Sequence, residues 1–247
     1  SMKVSIITPT YNSSATIGDT LDSIYSQSYA DIEHLIIDGG SKDDTLDIAR
    51  SYARDNVVII SEPDKGIYDA MNKGVRNASG DIIAILNSDD YYASPEVVSG
   101  MVEFFMANNL EAAWGDIEYV GGKGPIKRYW KGGKYRPGKF RFGWVPPHPA
   151  FFCKKELFEK FGAFRLDMPV AADYELMLRF IEVNRAKCGY NPILVTRMRV
   201  GGNSGSFRNI VKGNFSDIVN SYQINGLDLP WQLFICKPFM KLSQLRL

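Results

Sequence analysis

An apolar run that ends in two adjacent carboxylates constrains the fold of this chain most strongly. Residues 82–86 read Ile-Ile-Ala-Ile-Leu and are followed by Asn87-Ser-Asp-Asp90. Such a run is typical of a buried strand in a parallel sheet, where ligands bind beyond the carboxyl ends of the strands. Because like charges repel, the pair Asp89 and Asp90 indicates a bound divalent cation that would complete its shell with substrate phosphates. The alternative is that Asp89 caps a helix and Asp90 is solvated.

The first half of the chain alternates between strand and helix patterns. Strands are predicted at residues 4–8, 33–38, 57–61 and 81–86, and helices at about 15–27, after the capping segment 41–44, and at about 67–78. This alternation predicts an α/β fold with a mostly parallel sheet and right-handed crossovers. Polar residues follow each strand, at 9–12, 38–40, 62–65 and 87–90. Since the carboxyl ends of parallel strands share one edge, we expect these four segments to form a single binding site.

Charge is distributed unevenly, although the net charge of the 247 residues is only +1. Residues 1–118 contain 7 lysines and arginines against 20 aspartates and glutamates, whereas residues 119–247 contain 22 against 8. Between Glu118 and Glu156 there are ten basic residues, many aromatics and glycines, and no acidic residue. This composition predicts a flexible basic loop over residues 121–144. It could be a solvated linker, a lid over a phosphate-bearing substrate, or a surface for anionic lipid; nucleic acid is disfavoured because no reader motif accompanies the charge.

Composition also bears on location. No apolar run reaches the ~18 residues that a membrane-spanning helix needs, and an apolar strand follows Lys3 without a signal peptide before it. Three cysteines without metal-site spacing argue against a disulfide framework. We therefore expect a cytoplasmic protein. The apolar and basic run 229–247 adds two alternatives: contact with the inner surface of the cell membrane, or packing on the domain or on a homodimer partner.

Four motifs, in order and spacing, resemble the family 2 glycosyltransferases of GT-A fold. They are Ile7-Thr-Pro-Thr-Tyr-Asn12, Ile37-Asp-Gly-Gly-Ser-Lys-Asp-Asp-Thr45, Leu86-Asn-Ser-Asp-Asp90 and Ala172-Asp-Tyr-Glu-Leu176. Residues 61–74, Ser-Glu-Pro-Asp-Lys-Gly-Ile-Tyr-Asp-Ala-Met-Asn-Lys-Gly, are similar to the subgroup that builds bacterial exopolysaccharide, O-antigen and capsule units, including the colanic acid fucosyltransferase. The resemblance covers about residues 3–206.

This resemblance implies a GT-A-type, Rossmann-like sheet and an inverting, metal-dependent enzyme. Such an enzyme moves a sugar from a nucleoside-diphosphate sugar to a hydroxyl of a growing, undecaprenyl-diphosphate-linked polysaccharide unit at the bacterial cell surface. With the charge asymmetry, it predicts a nucleotide-sugar-binding half over 1–118, an acceptor-side half over 119–210 and a helical extension over 211–247. Two alternatives stay open: a nucleotide-binding subunit without turnover, and a sugar nucleotidyltransferase, although residues 9–12 are not the Gly-rich triphosphate loop that the latter needs.

The donor site is implied by the resemblance. Asp38 would accept a hydrogen bond from the imide N–H of uracil, and thymine and guanine offer a similar group, so a UDP-sugar is favoured while dTDP- and GDP-sugars remain open. The alternative for Asp38 is a turn or capping role. Tyr11 would stack on the base and Lys65 would lie near phosphate. The full set of expected donor-binding residues is Thr8, Pro9, Tyr11, Asp38, Asp64, Lys65, Asn87, Ser88 and Asp89.

The metal ligands and the catalytic residues are implied in the same way. Asp89 and Asp90 would hold Mn²⁺ or Mg²⁺, which neutralises the leaving diphosphate; Asn87 stands where the family commonly has aspartate. Asp173 would be the single base that takes the acceptor proton, with a plain helix N-cap as the alternative. The residue before it, Ala172, replaces the usual glutamate. His148 would contact acceptor or diphosphate, unless it is structural.

A glycine-rich segment, residues 201–204, resembles the family segment that closes on the diphosphate. It is flanked by Arg197, Arg199 and Arg208. Glycine flexibility and backbone N–H donors make that role physically reasonable.

Overall fold

The computed structural model describes residues 1–121, 128–200 and 207–235. The expected closing segment 201–204, residues 122–127 of the basic stretch, the Arg208 side chain and residues 236–247 lie outside the described part. The described strands are β1 (Val4–Thr10), β2 (Ile32–Asp38), β3 (Val57–Ser61), β4 (Ile82–Ile85), β5 (Asp90–Tyr92), β6 (Ala112–Val120), β7 (Tyr129–Trp130), β8 (Phe151–Lys154) and β9 (Cys188–Arg199). The helices are α1 (Ile17–Tyr25), α2 (Thr45–Ser51), α3 (Ile67–Asn77), α4 (Val97–Asn108), α5 (Lys155–Phe161), α6 (Ala172–Met177), α7 (Phe207–Ile224) and α8 (Gln232–Ile235).

The strands form one sheet in the order β3-β2-β1-β4-β8-β6-β9-β5, with β7 beside β6. The first four strands are parallel to one another, which confirms the α/β arrangement predicted for the first half of the chain. β8 runs antiparallel between β4 and β6, so β6 keeps the direction of β4. β6 in turn pairs in parallel with β9. The second half of the chain therefore extends the first sheet instead of building a separate one.

Strand β1 is the centre of the parallel part, because all seven of its residues are buried. It pairs with β2 as far as Thr10 and with β4 only as far as Ile7. The strand was predicted to end at residue 8, since Pro9 reads as a turn residue. Pro9 instead continues the strand. Proline has no N–H to donate, but the backbone nitrogen of Pro9 faces the β4 side, where β1 is paired only as far as Ile7, so no hydrogen bond between the strands is lost.

Helix α3 packs very closely on β1 at Gly74. A Cβ at Gly74 would collide with Cγ2 of Ile7 and lie 3.0 Å from Cγ1 of the same side chain. Ile7 is wholly buried and branched, so it has little room to move aside. Glycine at this position therefore sets how near α3 lies to the sheet.

The aromatic residues of the basic stretch are packed where the structure describes them. Trp130, Phe140 and Trp144 are buried, and the Phe140 and Trp144 rings meet edge to face with centroids 5.2 Å apart. Trp144 also donates from Nε1 to the carbonyl of Gly132 at 2.7 Å. Large aromatic rings with a satisfied polar edge are stable in a core.

Acidic partners for this stretch come from elsewhere in the chain. Asp116 of β6 accepts hydrogen bonds from the Tyr129 hydroxyl and the Gly132 amide, each at 2.8 Å. Glu182 accepts from the Gly138 amide at 2.7 Å and from the Tyr135 hydroxyl. Residues 128–144 therefore differ from the flexible loop predicted over 121–144. The composition of the stretch alone does not reveal the two carboxylates that accept its hydrogen bonds, because Asp116 and Glu182 lie outside it.

No helix in the described ranges is long and apolar enough to cross a bilayer.

His34 of β2 is buried on the face of the sheet that packs against α1. Its Nε2 lies 2.8 Å from the Thr8 hydroxyl and its Nδ1 lies 3.3 Å from the Tyr25 hydroxyl. Burial lowers the pKa of His34 to about 3. The histidine is therefore a neutral structural residue.

The close packing at Gly74 makes a matched pair of substitutions informative. Gly74→Ala should lower the free energy of unfolding by about 1–3 kcal/mol, because the new methyl group overpacks Ile7. Gly100 in α4 is the control: a Cβ there would lie 3.4 Å from Ile193. Gly100→Ala should stabilise by up to about 1 kcal/mol through helix propensity. Urea unfolding of both variants checks this, and equal effects would contradict the packing argument.

Burial of His34 predicts a pH dependence of stability. The unfolded chain binds a proton at His34 near pH 6.5, whereas the folded chain does so only near pH 3. Its contribution is complete above pH 6.5 and is lost as the pH falls towards 3, by up to about 1.4 kcal/mol per pH unit. In urea unfolding, His34→Gln should flatten this slope between pH 6.5 and 5 and leave the slope above pH 7 unchanged. The same slope in both proteins below pH 6.5 would refute it.

Candidate active site

The carboxyl ends of β1, β3 and β4 border one open cleft of about 640 Å³. Residues 9–13 line it at the end of β1 and just beyond, Asp64 and Gly66 after β3, and residues 87–89 after β4. The fourth strand end joins them by hydrogen bonds, since the Ser61 hydroxyl donates to Asp38 at 2.7 Å and the Asn12 amide donates to Ser41 at 2.8 Å. The four polar strand ends predicted from the sequence therefore come together at one edge.

The segment after β4 is fixed by α1 and the loop before it. The Thr16 hydroxyl donates to the Ser88 carbonyl at 2.9 Å, and the Ser88 hydroxyl donates to that of Ser13 at 2.8 Å. Two buried oxygens at this edge, Asn87 Oδ1 and Thr10 Oγ1, accept no hydrogen bond from the described residues. Buried polar atoms without protein partners are uncommon, and these two can bond to a water, an ion or a ligand in the cleft. Asn87 and Ser88 were expected as donor-binding residues, whereas Thr10 was expected here only as part of the polar segment 9–12.

The two carboxylates of this segment have different surroundings. Asp89 is partly exposed and lines the cleft, whereas Asp90 is wholly buried at the start of β5. Among the described residues, no group of three or more His, Cys, Asp and Glu side chains is arranged to hold a metal. Mg²⁺ and similar ions commonly bind through one or two carboxylates plus substrate phosphates. Asp89 with the amide oxygen of Asn87 fits such a shared site better than a protein-only cage.

The arginines of β9 lie beside this segment. Arg199 donates from Nη1 to the backbone carbonyl of Asp89 at 3.1 Å and forms an ion pair with Asp19. Arg197 forms an ion pair with Glu118 at 3.1 Å. Arg199 therefore brings positive charge to the edge of the cleft at the position where Asp89 contributes negative charge.

Asp38 is wholly buried and supports a turn. Its Oδ2 accepts from the amides of Gly40 and Ser41, each at 3.0 Å, and from the Ser61 hydroxyl, while Oδ1 accepts from the Ser41 hydroxyl. The turn role that the sequence left open is thus present. A carboxylate offers about four acceptor positions, so these four donors already occupy them. Recognition of a nucleobase by Asp38 stays a prediction.

The other expected donor residues divide into two groups. Tyr11 is 56% exposed and lines the cleft with Pro9 and Asp64. Asp64 accepts from the Gly66 amide at 3.0 Å. Lys65 is exposed on the same loop and is not part of the lining. Stacking by Tyr11 is therefore geometrically open, whereas a phosphate contact by Lys65 stays a prediction.

Thr8 does not face the cleft. It is wholly buried, and its hydroxyl bonds to His34 inside the sheet. It was assigned to the donor site by the family resemblance. With β1 running two residues further, the threonine at the cleft is Thr10.

Asp173 and His148 are brought together from distant parts of the chain. Nδ1 of His148 lies 3.1 Å from Oδ2 of Asp173, and both side chains are about one-fifth exposed. A hydrogen bond donated by the ring would fix the tautomer of the histidine and orient the carboxylate. Oδ1 of Asp173 also accepts from the amide of Tyr174 at 2.9 Å. The two residues proposed for catalysis thus form one unit.

The His148–Asp173 pair lies at the polar end of an otherwise apolar pocket. Met71, Phe158 and Phe164 are among the side chains that line it. In such low-polarity surroundings, electrostatic interactions and hydrogen bonds are stronger than in water. The arrangement can hold a proton taken from a neighbouring hydroxyl.

Two further residues at this pair were missed by sequence reasoning. The Tyr68 hydroxyl of α3 lies 3.1 Å from Oδ1 of Asp173, and Asp217 of α7 accepts from the amides of Val170 and Ala171 at 3.0 and 2.9 Å. Tyr68 belongs to a motif noted in the sequence, but its direction could not be read from it. No local signal marks Asp217, because its partners lie more than forty residues away.

Relatives of known sequence are glycosyltransferases by name. An uncharacterized glycosyltransferase of Mycobacterium tuberculosis is 35% identical over 192 residues, covering 71% of this chain and 68% of the relative. A PGL/p-HBAD biosynthesis glycosyltransferase of Mycobacterium bovis is 33% identical over 200 residues, covering 78% of this chain and 72% of the relative.

Solved structures of similar fold include TarS and a mannosyltransferase. TarS 1–349 of Staphylococcus aureus has a TM-score of 0.72 at 18% identity, over 97% of this chain and 71% of that one. The mannosyltransferase PcManGT of Pyrobaculum calidifontis, in complex with GDP-Man and Mn²⁺, has a TM-score of 0.68 at 21% identity, over 98% and 69%. These likenesses confirm the GT-A-type α/β fold.

The family itself follows from the sequence match. The model for glycosyl transferase family 2 matches residues 5–163, which include β1 to β4 and every residue described as lining the cleft. Asp173 lies beyond the matched range, so its role rests on its own geometry. This chain is a glycosyltransferase that belongs to glycosyltransferase family 2.

Proposed function

We propose that the chain is an inverting enzyme that moves a sugar from a nucleoside-diphosphate sugar to an acceptor hydroxyl. The observation that carries this proposal is the position of two sites on helix α3. Ile67 and Ala70 of α3 line the polar cleft, while Tyr68 and Met71 contact or line the His148–Asp173 site. A donor bound in the cleft would thus lie against the same helix that contacts the Asp173 carboxylate, which can accept a proton.

The proposed donor carries a base with an imide N–H. Tyr11 offers a ring for stacking, and Asp38 would accept the base N–H in place of one of its present donors. Uracil, thymine and guanine have such a group, and cytosine lacks it. UDP-GlcNAc is bound by TarS and GDP-Man by PcManGT, which supports this donor class. We favour a UDP-sugar and keep dTDP- and GDP-sugars as alternatives.

Mn²⁺ or Mg²⁺ is the proposed cofactor. Asp89 would hold the cation at the cleft with Asn87. Asp90, which is wholly buried in this structure, would be the second carboxylate ligand. When bound, the cation would neutralise charge on the leaving diphosphate. The Mn²⁺ complex of PcManGT supports this choice.

Asp173 is the proposed base. As the acceptor oxygen attacks the anomeric carbon, its proton passes to the Asp173 carboxylate, and the bond from that carbon to the diphosphate oxygen breaks on the opposite face. One displacement inverts the configuration. His148 would keep the carboxylate oriented through the 3.1 Å contact. The single base agrees with a leaving group that needs no proton.

The proposed acceptor is a lipid-linked cell-surface saccharide, as in the exopolysaccharide, O-antigen and capsule subgroup. At the C-terminal end of the described chain, four large apolar side chains are more than half exposed: Leu229, Trp231, Phe234 and Ile235. Apolar side chains of this kind favour peripheral contact with a membrane surface. We therefore propose that the enzyme works at the cytoplasmic face of the membrane, where such acceptors are assembled.

Nucleotide binding tests the donor site and the cation together. Melting-temperature shifts with UDP, GDP, dTDP and CDP should rank CDP last, because a ligand that binds only the folded state stabilises it. For the best nucleotide, calorimetry with Mn²⁺ should give at least about tenfold higher affinity than with EDTA, or ~1.4 kcal/mol. Asp89→Asn should remove this gain. Asp47→Asn, on the exposed side of α2, is the control. Equal affinity in Mn²⁺ and EDTA would exclude the proposed metal site.

Asp173→Asn separates binding from chemistry. The change removes a proton acceptor with little change of shape, so kcat should fall by roughly two to four orders of magnitude while donor affinity stays within about twofold. Asp167→Asn is the control, since Asp167 is an exposed residue paired with Arg165. Normal turnover by Asp173→Asn would mean that another group is the base. Absence of any turnover in the wild type, with nucleotide binding intact, would favour the non-catalytic subunit.

A further inference from the structure

Helix α3 presents two neighbouring faces to two different sites. Ile67 and Ala70, three residues apart, line the donor cleft. Tyr68 and Met71, also three residues apart, turn towards Asp173 and the apolar pocket beside it. Successive residues of a helix point about 100° apart, so the pair Ile67 and Ala70 and the pair Tyr68 and Met71 occupy adjacent faces of the same helix. The contact from Tyr68 to Asp173 therefore connects the carboxylate to the same helix, α3, that lines the cleft.

The Tyr68 hydroxyl reaches two acceptors in the segment that carries Asp173. It lies 3.0 Å from the carbonyl of Val170 and 3.1 Å from Oδ1 of Asp173. Its single proton can be shared between them, which holds both the backbone before the carboxylate and the carboxylate itself. Asp217 of α7 holds the same backbone from the other side, through the amides of Val170 and Ala171.

The ring of Tyr68 is itself held in place. It stacks on Phe164 with centroids 5.7 Å apart and an interplanar angle of 27°. Burial, and then the charge of Asp173, raise the pKa of Tyr68 well above 10, so the hydroxyl remains a donor throughout the working range of pH. A fixed ring and a permanent proton are what a positioning group needs.

We infer that Tyr68 is a positioning residue that sets where the Asp173 carboxylate lies relative to the donor cleft. The inference rests on the proposed function, because it assumes that Asp173 accepts the acceptor proton. Tyr68 touches no reacting atom in this scheme and acts only through Asp173. Asp217, by contrast, accepts hydrogen bonds from the backbone amides of Val170 and Ala171, so its role is to support the segment.

Tyr68→Phe tests this with little disturbance, because the ring and its stacking on Phe164 are kept. Misplacing a catalytic group by about 1 Å can cost up to ~100-fold, so kcat should fall about 10- to 100-fold while the KM for donor stays within about twofold. The assay is release of nucleoside diphosphate from UDP-GlcNAc or GDP-Man, chosen by the base that the binding screen selects. Tyr25→Phe is the matched control, since its hydroxyl bonds to His34 far from the site.

A double-mutant cycle separates positioning from general support. If Tyr68 acts through Asp173, Tyr68→Phe should change kcat by less than about twofold in the Asp173→Asn background. An equal loss of kcat in both backgrounds would overturn the inference. A normal kcat for Tyr68→Phe with a depressed kcat for Asp173→Asn would also overturn it, and would leave the proposed function intact. Normal turnover by Asp173→Asn would instead reject the proposed base.

Hydrogen exchange gives a readout that needs no substrate. In Tyr68→Phe, amide exchange should rise in the peptide that spans residues 168–177, because the segment opens more often. Tyr25→Phe should leave that peptide unchanged. Unchanged exchange in Tyr68→Phe would show that Asp217 alone holds the segment and would refute the positioning role.

Discussion

The cleft depends on the pairing of β1 with two parallel neighbours. β1 is buried along its whole length and hydrogen-bonds to β2 on one side and β4 on the other. The register pairs Thr10 with Asp38 and Ile7 with Ile85, so the loops after the three strands emerge at one edge. Because the strands are parallel, carboxylates from residues 64 and 89 meet there although 25 positions separate them.

Much of this arrangement could be predicted, because it follows from local patterns. Apolar runs gave the strands of the first half, and the polar segments after them gave the cleft. The errors lie at a strand end and in side-chain direction. β1 was predicted to end at residue 8 but continues to Thr10, and Thr8, assigned to the donor site by resemblance, is buried inside the sheet. Asp38 was expected to face a ligand, whereas the structure shows that its carboxylate also organises the turn around Ser41.

The features that could not be predicted depend on contacts between distant segments. The basic stretch was expected to be flexible because it contains no acidic residue. Asp116 and Glu182, from outside the stretch, satisfy its amides and hydroxyls and allow its aromatic rings to pack. The His148–Asp173 contact and the support from Asp217 are likewise long-range. Hydrophobic periodicity and motif spacing carry no information about such long-range contacts, since those patterns describe neighbours along the chain.

The lack of a side chain at Gly74 has a consequence for how enzymes with this fold can change their substrates. Helix α3 rests on Ile7 at a height that only glycine permits, and the same helix forms one wall of the donor cleft and contacts Asp173. The separation between the cleft and Asp173 is thus set by packing in the core. Surface loops can change in length or composition without altering that separation. A larger residue at position 74 would shift the cleft wall and the contact to Asp173 together. We therefore expect substrate diversity to arise in the loops, while the distance between the two sites stays constant.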